Sequence, residues 1–234
     1  MSDLRPDLAA IAAMIRSGAR VLDVGCGDGA LLEHLKTKDV DGRGIEISQA
    51  NVNACVARGL AVVQGDADTD LVDYPAQVFD AVILSQTIQA TEKPRVVLDH
   101  LLRIGRRVAI SLPNFGYWKV RLSLLAGGRM PRTNTLDYSW WATPNIHLCT
   151  LADFVDLTRE CGATIVEAHA LNDNGSTAKM NPASLTHGYL GPNLFAQGGV
   201  FLLKKSQLSF PRKRESNFGQ PRSDRKVGCP LSRA

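Results

Sequence analysis

The stretch Val21-Leu-Asp-Val-Gly-Cys-Gly-Asp-Gly29 runs from apolar residues into three glycines spaced two apart. Residues 20–24 read as a short buried strand, and residues 29–36 as the helix that follows it. Glycine has no Cβ, so a turn built on Gly25, Gly27 and Gly29 bends tightly and lets a ligand approach the backbone. Strand, glycine turn and helix in this order form one half of a nucleotide-type site in an open α/β sheet.

The same alternation extends outward from that turn. Residues 3–16 read as a helix, with Pro6 in its first turn, Leu8, Ile11 and Ile15 at 3–4 spacing, and Gly18 as its stop. Downstream, 42–47 is a strand, 49–58 a helix closed by Gly59, 60–64 a strand, 79–84 a buried strand, 94–104 a helix opened by Pro94, and 107–112 a strand stopped by Pro113. Strands and helices alternating at this pitch predict a doubly wound, mostly parallel sheet covered on both faces. Residues 114–149 are irregular and hold most of the bulky aromatics, among them Tyr117, Trp118, Trp140 and Trp141. Thr150 then reads as the N-cap of a helix over 151–161, with Asp153 placed for a capping box and Gly162 as the stop. Strands are predicted over 163–171 and 199–203, joined by a polar Gly/Pro/Asn-rich loop.

Three acids follow three successive strands. The glycine turn alone also satisfies a dinucleotide pattern, with Gly25, Gly27 and Ala30 as G-x-G-x-x-A. Asp23, two residues before Gly25, separates the readings: a carboxylate there repels a pyrophosphate and suits an ammonium group. Glu46, in Gly44-Ile-Glu-Ile-Ser48, stands where a carboxylate accepts from a ribose diol. Asp66, in Gln64-Gly-Asp-Ala-Asp68, stands where an acid accepts from an adenine amino group. The set favours S-adenosylmethionine (SAM) or its demethylated product over a dinucleotide or a purely structural turn. Asp28 and Asp68 read as helix-start or turn acids.

These motifs resemble class I methyltransferases. Phe79-Asp-Ala-Val-Ile-Leu-Ser-Gln-Thr-Ile-Gln-Ala90, Ser111-Leu-Pro-Asn-Phe-Gly-Tyr-Trp118 and Trp141-Ala-Thr-Pro-Asn-Ile-His-Leu-Cys-Thr150 narrow the resemblance to the methionine biosynthesis protein MetW family, over residues 1–203. The resemblance implies a seven-stranded Rossmann-like sheet and a link to homoserine O-acyltransferase (MetX). It also implies that Asp23, Gly25, Gly27 and Gly29 line the methionine part of SAM, that Glu46 holds the ribose, that Asp66 and Ala67 face the adenine, and that Ser85 and Gln86 border the amino-acid end and an acceptor pocket.

Methyl transfer from a sulfonium rests mainly on alignment, and a base is needed only when the acceptor must lose a proton. Residues 85–90 supply no His, Lys or acid; Glu92 is the first. His147, in the irregular segment, is the remaining candidate base, against the plainer reading of a structural histidine. His34, His100, His169 and His187 have no paired acid in sequence and receive no role. The aromatics of 117–141 suit the wall of an acceptor pocket, a partner surface, or packing of a lid on the sheet. Two function classes follow: a SAM-binding accessory to the acyltransferase, or a methyltransferase acting on a small acceptor.

Charge divides the chain at about residue 203. Residues 1–203 hold 18 Lys/Arg and 21 Asp/Glu; residues 204–234 hold nine and two. The weakly acidic body argues against a phosphate-backbone partner. The basic tail, with three prolines and no apolar period, is expected to be disordered and functionally dispensable. Five cysteines, none at metal-ligand spacing, suggest reduced thiols, no metal and a cytoplasmic protein. Neither a signal peptide nor a membrane span is expected.

Overall fold

In the computed structural model, residues 4–133, 136, 138–186 and 191–206 are described. His187, Cys229 and nearly all of the predicted tail lie outside the described residues. The chain opens with helix α1 (Pro6–Met14) and then alternates: β1 (Arg20–Val24), α2 (Ala30–Lys36), β2 (Asp41–Glu46), α3 (Gln49–Ala57), β3 (Ala61–Gln64), β4 (Phe79–Ser85), α4 (Pro94–Ile104) and β5 (Gly105–Pro113). Then come α5 (Trp118–Gly127), α6 (Leu151–Glu160), β6 (Ala163–Leu171), β7 (Thr177–Lys179), α7 (Ala183–Thr186), α8 (Pro192–Phe195) and β8 (Gly198–Lys205). The strands form one sheet in the order β3-β2-β1-β4-β5-β8-β6-β7. Strands β1 to β5 pair in parallel, while β8 lies antiparallel between β5 and β6.

Successive side chains of a strand face opposite ways, and the core divides accordingly. Val21, Ala81, Ile83 and Ala109 pack with Ile11 of α1, with Ile15 just after it, and with Leu31 and Leu35 of α2. Leu22, Val24, Val82 and Leu84 face α4 and α6 through Leu98, Leu101 and Phe154. The strand order reverses between β1 and β4, which places the ligand-binding crevice of such sheets at their carboxyl ends.

Three features differ from the sequence reading. The sheet has eight strands rather than seven, because the segment predicted as a loop after β6 folds back as β7 and pairs with it. Asn172 to Ser176 make that turn, with Gly175 in the left-handed region. The same segment also contains α7 and α8. Helix α5 lies in the stretch read as irregular. Its sequence, Trp-Lys-Val-Arg-Leu-Ser, alternates apolar and polar residues with a period of two, and only Val120 of the helix is buried, so it lacks a helical stripe. The capping box of α6 forms as expected: Thr150 Oγ1 accepts from Asp153 N at 3.2 Å, and Asp153 Oδ2 accepts from Thr150 N at 2.9 Å.

Asn114, at the end of β5, joins the later segments to the sheet. Its buried amide donates to the carbonyls of Asn193 (2.9 Å) and Ala196 (2.8 Å), and its Oδ1 accepts from Gly116 N (2.8 Å) and Leu151 N (3.3 Å). Truncating it strands four buried backbone groups. Asn114→Ala should lower unfolding free energy by about 3 kcal/mol in a denaturant titration; a change below about 0.5 kcal/mol would show that the knot is dispensable.

Candidate functional site

Asp23 sits one residue before the end of β1 and is 1% exposed. Its Oδ1 is buried with no hydrogen-bond partner. Burial pushes its carboxyl up to about 7; the Arg5 guanidinium opposes that rise and the Glu46 carboxylate adds to it. The glycine turn lies directly beyond. Gly25 N and Cys26 N both donate to Ile45 O on β2, at 2.8 and 3.2 Å. Gly25 has φ +70°, and a Cβ there would stand 3.0 Å from Thr87 Oγ1. At Gly29, φ +79°, a Cβ would meet Leu60 Cδ1 at 2.6 Å and Cys55 Sγ at 2.8 Å, so this glycine lets α2 close on the neighbouring helix and strand. Gly27, by contrast, opens onto free space.

Glu46 ends β2 and is 7% exposed. Its Oε2 accepts from Gly27 N at 2.8 Å and its Oε1 from Ser48 N at 2.9 Å. One carboxylate thus fixes both the glycine turn and the start of α3. A carboxylate offers about four acceptor positions, so two short bonds leave capacity for further donors. Asp66 and Ala67 follow β3 and are half-buried. Asp66 Oδ1 accepts from Asp68 N at 2.8 Å, shaping the turn. Asp28 accepts from Ala30 N at 3.2 Å, on local backbone, whereas Asp68 accepts from Glu92 N and Lys93 N, 24 and 25 residues away, at 2.9 and 3.0 Å, and so holds the chain just ahead of α4.

Ser85 and Gln86 stand at the end of β4, beside the crevice. Gln86 adopts φ +48°, and its N–H donates to Ser111 O and Oγ at 2.8 and 3.1 Å. Gln89 lies just beyond, fully buried; its Nε2 donates to Gln86 O at 2.9 Å while its Oε1 has no partner. Its backbone carbonyl accepts from Ile146 N and His147 N, at 3.0 and 2.9 Å, which brings the irregular segment over the end of β4. The His147 ring is exposed, and no carboxylate among the described residues pairs with it. His169, which lacked an obvious acid, bonds Glu167 at 2.8 Å on β6, three strands from β4 and away from this crevice.

Of the aromatics, Tyr117 packs inside and donates to Asp173 at 2.6 Å, while Trp140 and Trp141 remain 70% and 73% exposed. The recess among Phe115, Tyr138, Trp140 and Leu148 holds only about 30 Å³, room for one water. A cavity of about 380 Å³ lies at the opposite end of the sheet, among Met14, Arg16, Asp80 and Arg107, and none of the predicted site residues lines it. Among the described residues no cluster of three or more His, Cys, Asp or Glu is arranged for a metal, and no helix is long and apolar enough to cross a membrane.

The sequence reading missed Arg5, Asp7, Ser111 and Gln89. Asp7 looks like an ordinary first-turn acid; its burial depends on Ser111, 104 residues away, and no local pattern carries that information.

Sheet order, glycine turn and strand-end acids define a class I SAM-dependent methyltransferase fold. A SAM-dependent methyltransferase of Thermotoga maritima superposes with a TM-score of 0.62 at 16% identity, covering 86% of this chain and 88% of that one. One from Mesorhizobium loti gives 0.61 at 16%, covering 86% and 98%. The family described as methionine biosynthesis protein MetW matches residues 5–203, and the chain belongs to that family. The bifunctional methionine biosynthesis protein MetXA/MetW of Rhodopirellula baltica is 35% identical over 174 residues, 70% of this chain and 28% of that protein. A ubiquinone biosynthesis O-methyltransferase of Xylella fastidiosa is 33% identical over 106 residues, 42% of this chain and 43% of that enzyme. The chain therefore spans less than half the length of either relative.

If Glu46 holds a ribose, as its place at the end of β2 leads one to expect, Glu46→Ala should weaken SAM binding by about 1–3 kcal/mol in calorimetry, since the ligand's hydroxyl donors would lose an acceptor and the turn its anchor. Unchanged affinity would remove Glu46 from the site.

Proposed function

We propose that the chain binds SAM, or S-adenosylhomocysteine, at the carboxyl ends of β1, β2 and β3, and that it thereby assists or regulates a homoserine O-acyltransferase, MetX, in the cytoplasm. In this reading Asp23 takes the ammonium of the ligand, and Gly25, Gly27 and Gly29 form the turn along its methionine part. Glu46 takes the ribose hydroxyls, Asp66 and Ala67 face the adenine, and Ser85 and Gln86 border the amino-acid end. The partnerless, buried Oδ1 of Asp23 supports the first assignment: such an acceptor is costly unless a donor reaches it, and an ammonium is the donor a carboxylate favours most. Bound SAM would supply an activated methyl group on a sulfonium. Because SAM is made from methionine, its binding can report that the pathway's product is sufficient.

The observation that carries the acyltransferase link is the relative from Rhodopirellula baltica, whose name joins MetXA and MetW in one chain. Family membership supports a role in methionine biosynthesis. A second reading, methyl transfer to a small acceptor, draws on the similarity to the ubiquinone O-methyltransferase and on the complete glycine turn.

One experiment separates the two. The full chain is mixed with a homoserine O-acyltransferase, tested for co-purification, and assayed for acyl transfer with and without SAM; labelled SAM is followed in parallel in a metabolite extract. A stable complex and an acyltransferase rate changed at least about twofold, in a SAM-dependent manner, are expected. No complex, identical rates and a labelled product would instead establish the methyltransferase reading.

A further inference from the structure

The cavity of about 380 Å³ lies at the amino ends of the strands, at the opposite end of the sheet from the glycine turn. Its volume is that of a small-molecule site. It forms because α1 stops at Met14 and the chain then runs beneath the starts of β4 and β5 before β1 begins at Arg20. Gly18, at φ +72°, makes the bend, and Arg20 N ties it to Asp80 Oδ2 at 3.0 Å. The inner wall is apolar: Ile15, Ala81 and Leu202 are buried there, with Met14 half-buried beside them.

The mouth is basic. Arg16, Arg106 and Arg107 line it, with Asp80 as the one acid. Asp80 is already engaged, by Arg20 N and by Arg106 Nη1, which stands 3.5 Å from its Oδ1. Arg16 and Arg107 have no hydrogen-bond or ion-pair partner among the described residues. Arg107 pairs with Ala81 across β4 and β5, and strand alternation sets it on the same face as Ala109, which pairs with Leu202. A half-buried guanidinium therefore stands against buried apolar side chains, where it attracts an anion more strongly than in open water. The carbonyl end of α1 would oppose an anion. Lys38 caps it: its Nζ donates to Ala12 O and Ile15 O, at 2.5 and 2.9 Å.

We propose that this cavity binds a small aliphatic carboxylate, its head held by Arg107 and Arg16 and its chain lying on Ile15, Ala81 and Leu202. A guanidinium takes a carboxylate in a two-bond fork. The apolar wall calls for a hydrocarbon body, which sulfate and inorganic phosphate lack, and Asp80 on the rim disfavours a multiply charged head. Residues 207–234 of the chain carry seven Lys/Arg against two Asp/Glu, the wrong charge for a basic mouth. The site shares no residue with the crevice at the carboxyl ends of the strands, so it stands or falls independently of SAM binding.

The test titrates hexanoate into the full chain and follows backbone amide shifts by two-dimensional NMR, with sulfate and hexylammonium compared at equal ionic strength. Hexanoate should saturate with a Kd of about 1 mM, and its shifts should centre on residues 14–19, 80–81 and 106–107. Sulfate should bind at least about fivefold more weakly, for want of an apolar body, and hexylammonium should produce no saturable shift. Arg107→Gln should weaken hexanoate about tenfold. Arg16→Gln, at an exposed position, should weaken it about threefold and serves where the first variant fails to fold. No saturation by about 20 mM hexanoate, shifts centred elsewhere, equal binding of hexylammonium, or unchanged affinity in the variants would each overturn the site. Sulfate binding as tightly as hexanoate would overturn its assignment to an aliphatic carboxylate.

Discussion

A carboxyl group sealed beneath a glycine turn, with one oxygen left without a donor, is the constraint on which the site depends. Asp23 lies on the strand at which the sheet order reverses, so its burial follows from the same topology that opens the crevice. Burial raises its pKa above the unfolded value, to about 7. The sign follows directly: its contribution to folding is fully present below the ordinary carboxylate range and is lost as pH rises through 7. Near neutrality the free protein therefore bears the cost of a buried charge. A ligand that brings an ammonium to that charge removes the cost, which couples binding to stability.

Glu46 and Asn114 distribute that constraint through the fold. Glu46 ties the glycine turn of β1 to the first residues of α3, so turn geometry and the strand-end acid are not independent features. Asn114 ties the end of β5 to α6 and α8, which keeps the irregular segment above the crevice without a large buried core of its own. The exposed Trp140 and Trp141 show that this segment does not simply pack against the sheet.

The parallel half of the fold was legible because its signals are local. The glycine turn, Pro94 at the start of α4, Pro113 at the end of β5 and the Thr150–Asp153 box each announce a boundary within a few residues. Helix α5 was not legible, since its apolar residues alternate and stay largely exposed. Strand β7 was missed although Asn174-Gly175 is a recognised turn pair, because all three strand residues are exposed and carry no buried face. At the site, the three strand-end acids could be placed by spacing alone. Asp7 and Ser111 could not, because their importance lies in a hydrogen bond spanning 104 residues. Gln89 gave no signal either, as an amide following a strand looks like surface until its burial is seen.

The central claim is that Asp23 is the ionised acceptor of a ligand ammonium. It is tested most directly by titrating S-adenosylhomocysteine, whose amino group stays protonated over the range, into the protein between pH 5.5 and 8. The account predicts an affinity that rises about tenfold per pH unit below 7 and levels off above it, and a weak, pH-independent affinity for Asp23→Asn. A wild-type affinity that stays flat across this range would contradict it.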